Sequence, residues 1–338
     1  LNFFFYSNQS VPDEPPFFCR RPLSLLEPMG HGRIVAQALN LAWYSISPRT
    51  TSLNPLDVMY PRLIDQVTHV IRIVETLLHR QFGGDQRGNL EKALLGRAVE
   101  TLYRQLGGLD VLLDPSKMPV IADLCALLPD VADRGNRTHR ELANGLAGEI
   151  AGLCAGNGPY SEFINGRTSL DLSFTGKGKP RVFSFHEMSS DPELLAVAYT
   201  QVLTAIRRDS LVDDQPRVIA VDEVYRLMVH PSLLDFLVEA VKTFRTRRKK
   251  VISIDQNMTV FLSGKARLLF ENSPIRVIFN QRTGMQAFDD QAFAHFHDQH
   301  RDIIRALKRG HYVFDVEGRP AYLYMRPSDA EFRRFGST

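Results

Sequence analysis

Two adjacent carboxylates, Asp222 and Glu223, follow directly on the apolar residues 218–221 of RVIAVDEVYRL. A carboxylate at the carboxyl end of a buried strand can hold a hydrated Mg²⁺, and a second beside it can polarise an attacking water. This is the pattern called Walker B; the same residues also suit a strand that simply leaves a core. Gln256 ends the next apolar run, VISID, where an amide can hydrogen-bond a terminal phosphate or the water attacking it. Between them lies FRTRRKK, with Arg245, Arg247, Arg248, Lys249 and Lys250. That run has three readings: cations offsetting the negative end of a helix, a nucleic-acid contact, or an arginine acting on phosphoryl-transfer charge in a neighbouring subunit. If the two strands are neighbours, Gln256 and the acids share one rim of a sheet.

The elements that must position these residues are legible in the pattern. The run at 218–221 reads as a strand buried on both faces, and acids at its carboxyl end occupy the place where open α/β sheets keep ligands. Strand and helix alternate from 181 to 281: strand RVFSF, a helix over 191–208, the acid-bearing strand, a helix from Pro231 to about Arg247, strand VISID, a helix ending near Glu271, strand IRVIFN. That alternation predicts a mostly parallel sheet. Helices through residue 308 and the paired strands HYVFDV and AYLYMR close the chain.

Upstream, LLEPMGHGRIVAQAL reads as a strand end, a turn and a short helix, AWYSISP as a short strand and TSLNPLD as a turn-rich link. From about Asp57 to Gly156 the pattern is helical throughout. Leu63, Ile64, Val67, Val70, Ile71, Val74, Leu77 and Leu78 form one stripe, which Gly83 and Gly84 are expected to end. Further helices fit 90–106, 120–128 and 139–154, and the consecutive helices suggest an inserted helical subdomain. SLDLSF reads as a strand joined to RVFSF through a Gly-Lys-Gly-Lys hairpin tip. Residues 1–30 hold five prolines and an FFF cluster and are expected to be irregular.

Composition narrows the class. The chain has 338 residues, 44% hydrophobic and 23% charged, ordinary for a globular protein with a sizeable core. With 41 basic and 38 acidic residues its net charge is only +3, so bulk charge does not argue for nucleic acid or anionic lipid. Three scattered cysteines, Cys19, Cys125 and Cys154, make neither a disulfide framework nor a zinc ribbon and read as buried thiols. No apolar run reaches the roughly 18 residues of a membrane span. The opening LNFFFYSNQS has no initiator methionine and no signal-peptide pattern, which points to a fragment or an unusual start.

The ordered motifs LEPMGHGR, TSLNPLD, an all-helical insertion, GPYSEFINGRTSLDLSF, VFSFHE, VIAVDEVYRL, a basic run, a strand ending in Gln and ENSPIRVIFNQ resemble the carboxy-terminal ATPase domain of the VirB-four-like ATPases. These serve type IV secretion and conjugation and belong to the FtsK–HerA superfamily of RecA-like motors. The resemblance covers about residues 25–327. It implies an α/β RecA-like P-loop NTPase core with an inserted helical subdomain: 1–24 irregular and of open origin, 25–56 the start of the core, 57–156 the helical subdomain and 157–338 the rest of the core.

It also implies ATP and Mg²⁺ as cofactors, with Asp222 holding Mg²⁺ through water, Glu223 as the base that activates water, Gln256 as sensor and Arg245 as arginine finger across a hexamer interface, with Arg247 and Arg248 as close substitutes. The implied partners are copies of itself and inner-membrane components of the secretion system, at the cytoplasmic face of a bacterial cell membrane. Nucleic acid as partner stays open, as do a related DNA-translocating motor and a non-catalytic assembly component.

The sequence departs from the family at one place. A P-loop, GxxxxGK followed by Ser or Thr, belongs before EPMGHGR, yet the first lysine is Lys92. Gly176-Lys177 is followed by Gly178 and Gly264-Lys265 by Ala266, so neither supplies it. Either a strand, loop and helix are missing or the nucleotide site has degenerated, and the chain as it stands is expected to bind ATP poorly and hydrolyse it little. His295, His297 and His300 do not share a face that would make a metal site. His186 and Glu187 suit acid–base work or a turn before a helix, and Trp43 is expected to be a packed aromatic.

Overall fold

The computed structural model describes residues 23–110, 114–173, 180–212, 215–228, 231–244, 248–262, 264–281, 285–325 and 329. In chain order the strands are β1 Leu23–Glu27, β2 Ala42–Ser45, β3 Arg181–Ser184, β4 Arg217–Val221, β5 Lys249–Ser253, β6 Ile275–Ile278, β7 His311–Val316 and β8 Arg319–Tyr324. The helices are α1 Gly32–Ala38, α2 Leu63–Leu77, α3 Gln86–Gln105, α4 Ile121–Leu127, α5 Arg137–Cys154, α6 Ser161–Ile164, α7 Pro192–Val212, α8 Tyr225–Met228, α9 Pro231–Phe244, α10 Arg267–Glu271 and α11 Asp298–Ala306. Among the described residues, contacts divide the chain into two units, one within the ranges 1–43, 177–184 and 214–338, the other within 44–176 and 185–213.

The first unit is organised on a five-stranded sheet of order β2-β3-β1-β4-β5. β1 runs parallel to β3 and β4, and β4 parallel to β5. Every residue of β1, β3 and β4 is buried, as expected of central parallel strands covered on both faces. Leu23, Leu25, Ala36, Val182, Val218 and Ala220 form one packed cluster, with Leu41 and Trp43 half-buried against it. α1 packs on β3 and α9 on β5. The parallel sheet with its helices is a RecA-like α/β core.

The expectation that IRVIFN joins this sheet is corrected. β6 pairs antiparallel with β7, and β7 antiparallel with β8, in a separate three-stranded sheet. The local reason is a hairpin: Glu317 (φ 51) and Gly318 (φ 81) both take left-handed backbone, the two-residue turn that matches strand twist. β6 also alternates, with Ile275 and Val277 exposed and Ile278 buried, where a central parallel strand would be buried throughout. Phe270, Ile278, Phe288, Phe293, Phe296, Ile304, Leu307 and Val313 form the core of this part.

In the second unit the stripe on α2 buries Val67, Val70, Ile71, Val74 and Leu77, although Ile64 is exposed. The helix stops before Gly83 and Gly84. His79 takes left-handed backbone (φ 53), with its N–H bonded to Thr76 O and that of Arg80 to Glu75 O, the bonding of a Schellman cap. The turn-rich segment 53–60 is pinned by buried polar groups: Asn54 Nδ2 donates to Pro119 O (2.8 Å), and Gln66 Oε1 accepts the amides of Met59 (2.8 Å) and Tyr60 (3.1 Å).

SLDLSF is not a strand over its described residues. Ser169 N–H bonds Ser52 O, Thr168 Oγ1 contacts Asp57 (2.5 Å), and Arg208 donates to Leu172 O, so its polar groups are committed to a loop and a helix. The hairpin tip at 176–179 and residues 1–22 lie outside the described residues. Cys154 is buried and Cys125 half-buried; burial pushes the two thiols up to about 12 and 11.

Candidate active site

Register brings the site together. β1 and β4 pair Leu26 with Val221, and the Asp222 N–H donates to Leu26 O (2.9 Å), extending the ladder one residue past the strand. Asp222 thus comes level with Glu27, the last residue of β1. On the other side β4 pairs Val221 with Ser253, and the Ile254 N–H donates to Val221 O (2.9 Å). The carboxyl ends of β1, β4 and β5 therefore form one rim, carrying Glu27, Asp222, Glu223, Asp255 and Gln256.

Glu223 takes a left-handed backbone conformation (φ 52), which for a non-glycine residue costs about 1–2 kcal/mol. It persists because both flanks are tied: ahead of it the Asp222 N–H bonds Leu26 O, and after it Val224 N–H bonds Ile254 O (3.1 Å) and the Tyr225 N–H is accepted by Asp255 Oδ2 (2.9 Å). The bend buries the Glu223 side chain, and Gln256 Nε2 donates to its Oε1 at 2.6 Å. Gln256 itself is exposed.

Asp222 is buried, and its Oδ2 has no hydrogen-bond partner. Burial first, then Glu223 and more weakly Glu27, push its carboxyl up to about 7. A group so placed is starved of positive charge, and a divalent cation would supply it. Mg²⁺ takes oxygen donors and is held by one or two carboxylates plus waters and phosphate oxygens. An orphaned carboxylate oxygen at a strand end fits that ion. Among the described residues no three His, Cys, Asp or Glu side chains gather at metal-binding spacing, so a fully protein-built cage is not present there.

Two members of the rim were not singled out in the sequence. Glu27 is fully buried; its Oε2 accepts the amides of Met29 (3.0 Å) and Gly30 (2.7 Å), and its Oε1 has no partner. Asp255 caps the turn after β5 through Asn257 N–H (3.0 Å) as well as Tyr225, and burial raises its pKa. For Asp255 the signal is an apolar run closed by acid, VISID, as in VIAVD; Glu27 closes LSLLE in the same way, but only the register of β1 against β4 sets it beside Asp222. Arg245 and Arg247 lie outside the described residues. Arg248 is exposed with φ 57, whereas Lys249 is buried and donates to Gln215 O (2.6 Å), so that one cation of the basic run is not a solvated helix end.

The histidines have structural partners. His295 Nε2 lies 3.2 Å from the buried Asp315, which Arg276 also holds (2.8 Å), and His300 Nδ1 accepts the His297 N–H (3.2 Å) at the start of α11. Glu187 accepts the Ser45 hydroxyl (2.9 Å).

No protein-family model matches the sequence, and no curated protein does. Solved structures do. VirB4 of Thermoanaerobacter pseudethanolicus aligns with a TM-score of 0.73 at 19% identity, over 92% of this chain and 83% of that one. The bacterial conjugative coupling protein TrwBdeltaN70 aligns at 0.55 and 12%, over 94% and 87%. The plasmid coupling protein TrwB in complex with ADP and Mg²⁺ aligns at 0.51 and 13%, over 92% and 87%. At such identities the likeness is one of fold.

Proposed function

We propose that this chain is an ATP-hydrolysing motor domain serving a type IV secretion or conjugation apparatus. The observation that carries the reading is the Glu223–Gln256 bond beside Asp222, on one rim of a parallel sheet. The likeness in fold to VirB4 and TrwB supports it. Asp222 would hold Mg²⁺ through water, and the bound ion would neutralise charge on the phosphates. Glu223 accepts a proton from water as the water oxygen attacks the terminal phosphorus and the bond to the leaving diphosphate oxygen breaks. Gln256 orients that water or the terminal phosphate, and Arg245 supplies positive charge to the site of an adjacent copy in a hexamer.

Residues 25–56 and 157–338 make the motor core in this reading, and residues 57–156 its helical subdomain. Association with the inner face of a cell membrane through partner proteins is part of this reading; among the described residues no helix is long and apolar enough to cross a membrane. A second reading, a non-catalytic assembly component, is favoured by one observation, the lack of GxxxxGK in this sequence.

Phosphate release at millimolar ATP and Mg²⁺ separates the two. The motor reading expects slow, Mg²⁺-dependent release that Glu223→Gln lowers by about 100-fold or to background, the scale of a lost general base. Equal release from both proteins would overturn it in favour of the second.

A further inference from the structure

Glu27 and Asp222 end neighbouring parallel strands at the same level, joined by the bond from the Asp222 amide to Leu26 O. Both side chains are almost wholly buried, at 0% and 2% exposure. Each has one oxygen with no hydrogen-bond partner: Oε1 of Glu27 and Oδ2 of Asp222. Among the described residues neither forms an ion pair with an arginine or lysine. Buried carboxylates in this state are rare without something to satisfy them, because an unpaired buried charge is expensive.

Glu27 is also held in a fixed pose. The amides of Met29 and Gly30 both donate to Oε2, which leaves Oε1 as its free oxygen. Gly32 makes room for it, since a Cβ there would come within 2.8 Å of Glu27 Cγ and 2.9 Å of Val182 Cγ1. A sheet that only needed a filled position at the end of β1 would be served by an apolar side chain without these devices.

We propose that Glu27 is a second carboxylate of the divalent-cation site, sharing the ion with Asp222. The inference rests on the reading of Asp222 as the residue that holds the cation. Two carboxylate oxygens, with waters and phosphate oxygens completing the shell, are the donor set on which Mg²⁺ is ordinarily held, and Mn²⁺ accepts the same oxygen donors.

The test measures Mn²⁺ binding to the nucleotide-free chain by loss of the free-ion electron paramagnetic resonance signal. Glu27→Gln and Asp222→Asn should each weaken binding by about tenfold or more, a scale seen when even an outer carboxylate partner of a metal site is removed. Asp235→Asn, at an exposed ion pair with Lys265, should leave it unchanged. Without cation Glu27→Gln should melt at a higher temperature than the parent, because a buried repulsion is gone, and should lose most of the Mn²⁺-induced rise in melting temperature. Should Glu27→Gln not fold, Glu27→Asp, which keeps the charge but withdraws it by one methylene, is expected to weaken Mn²⁺ binding as well.

Unchanged Mn²⁺ affinity in the folded Glu27 variants, with binding lost in Asp222→Asn, would overturn the inference and leave the proposed function standing. That is also the result if the two carboxylates only share a proton. Unchanged affinity in both Glu27→Gln and Asp222→Asn would overturn the inference together with the cation role of Asp222.

Discussion

Glu223 sits in a strained backbone conformation and at the same time accepts the amide of Gln256 at 2.6 Å. Strain of this kind clusters at sites where a side chain must be aimed. With one carboxylate oxygen engaged by the glutamine, the proposed reading leaves the other to take a proton from water. Gln256→Ala should therefore lower phosphate release by about 100-fold, the scale on which one preorganised donor acts, while circular dichroism shows an unchanged fold. Undiminished release would remove Gln256 from the reaction.

A second residue-scale prediction concerns His69, buried against Gln201. Gln201 Nε2 donates to Asn54 O (2.6 Å), so its Oε1 is the acceptor and His69 Nε2 carries the proton of a neutral ring. Burial pushes the His69 pKa down to about 4 from 6.5. With the folded value depressed, the neutral ring's contribution is complete above pH 6.5 and is lost as pH falls through 4. Urea unfolding across that interval should show a loss on the order of 3 kcal/mol that His69→Asn does not share. Parallel pH profiles would contradict it. Residue type and spacing offered Asp222, Glu223 and Gln256 as candidates for one rim, and the pairing of β4 with β5 puts them on it. Glu27 was not offered, because LSLLE runs into Pro-Met-Gly and reads as a turn; only the register of β1 against β4 sets it level with Asp222.

At the scale of elements, sequence periodicity worked where one face of a helix meets a core and failed where a partner strand decides. The apolar stripe of α2 and the buried run of β4 announce themselves. The end of α2 does not, since His79 in left-handed backbone closes the helix ahead of the glycines that seemed to mark the stop. β6 has the apolar texture of a parallel strand, yet the tight Glu317-Gly318 turn gives β7 and β8 to each other and leaves β6 to pair with β7. The segment after α6 is apolar and alternating, but its polar groups bond to the loop at 52–57.

The junction of β1 and α1 makes an element-scale prediction. A methyl group at position 32 would meet Glu27 and Val182 below 3.0 Å, inside a packed core that cannot yield freely. Gly32→Ala should destabilise the chain by about 1–3 kcal/mol in urea unfolding, the usual range for overpacking. Unchanged stability would show that α1 can slide away from β3, and with it that Glu27 is not held in place.

For the whole molecule, the parallel order β3-β1-β4-β5 supplies the rim, and in the proposed function the residues on that rim supply the chemistry. What this chain lacks is the phosphate-binding GxxxxGK, whose backbone amides and lysine are the main anchor of a triphosphate. Titration calorimetry of the chain as it stands should accordingly find ATP affinity no better than millimolar, and a submillimolar dissociation constant would contradict that account. The fold class was legible from strand and helix alternation because that pattern leaves few topologies. The split into two sheets was not, because it depends on contacts between residues 275–278 and 313–316.

The central claim is that Asp222, Glu223 and Gln256 face one phosphate. A crystal structure of the chain grown with millimolar ADP, aluminium fluoride and Mg²⁺ tests it most directly. The account predicts the fluoride group at about 3 Å from Gln256, with the attacking water on Glu223 and the cation's water shell on Asp222. Nucleotide bound elsewhere, with the Glu223–Gln256 bond and the free oxygen of Asp222 untouched, would contradict it.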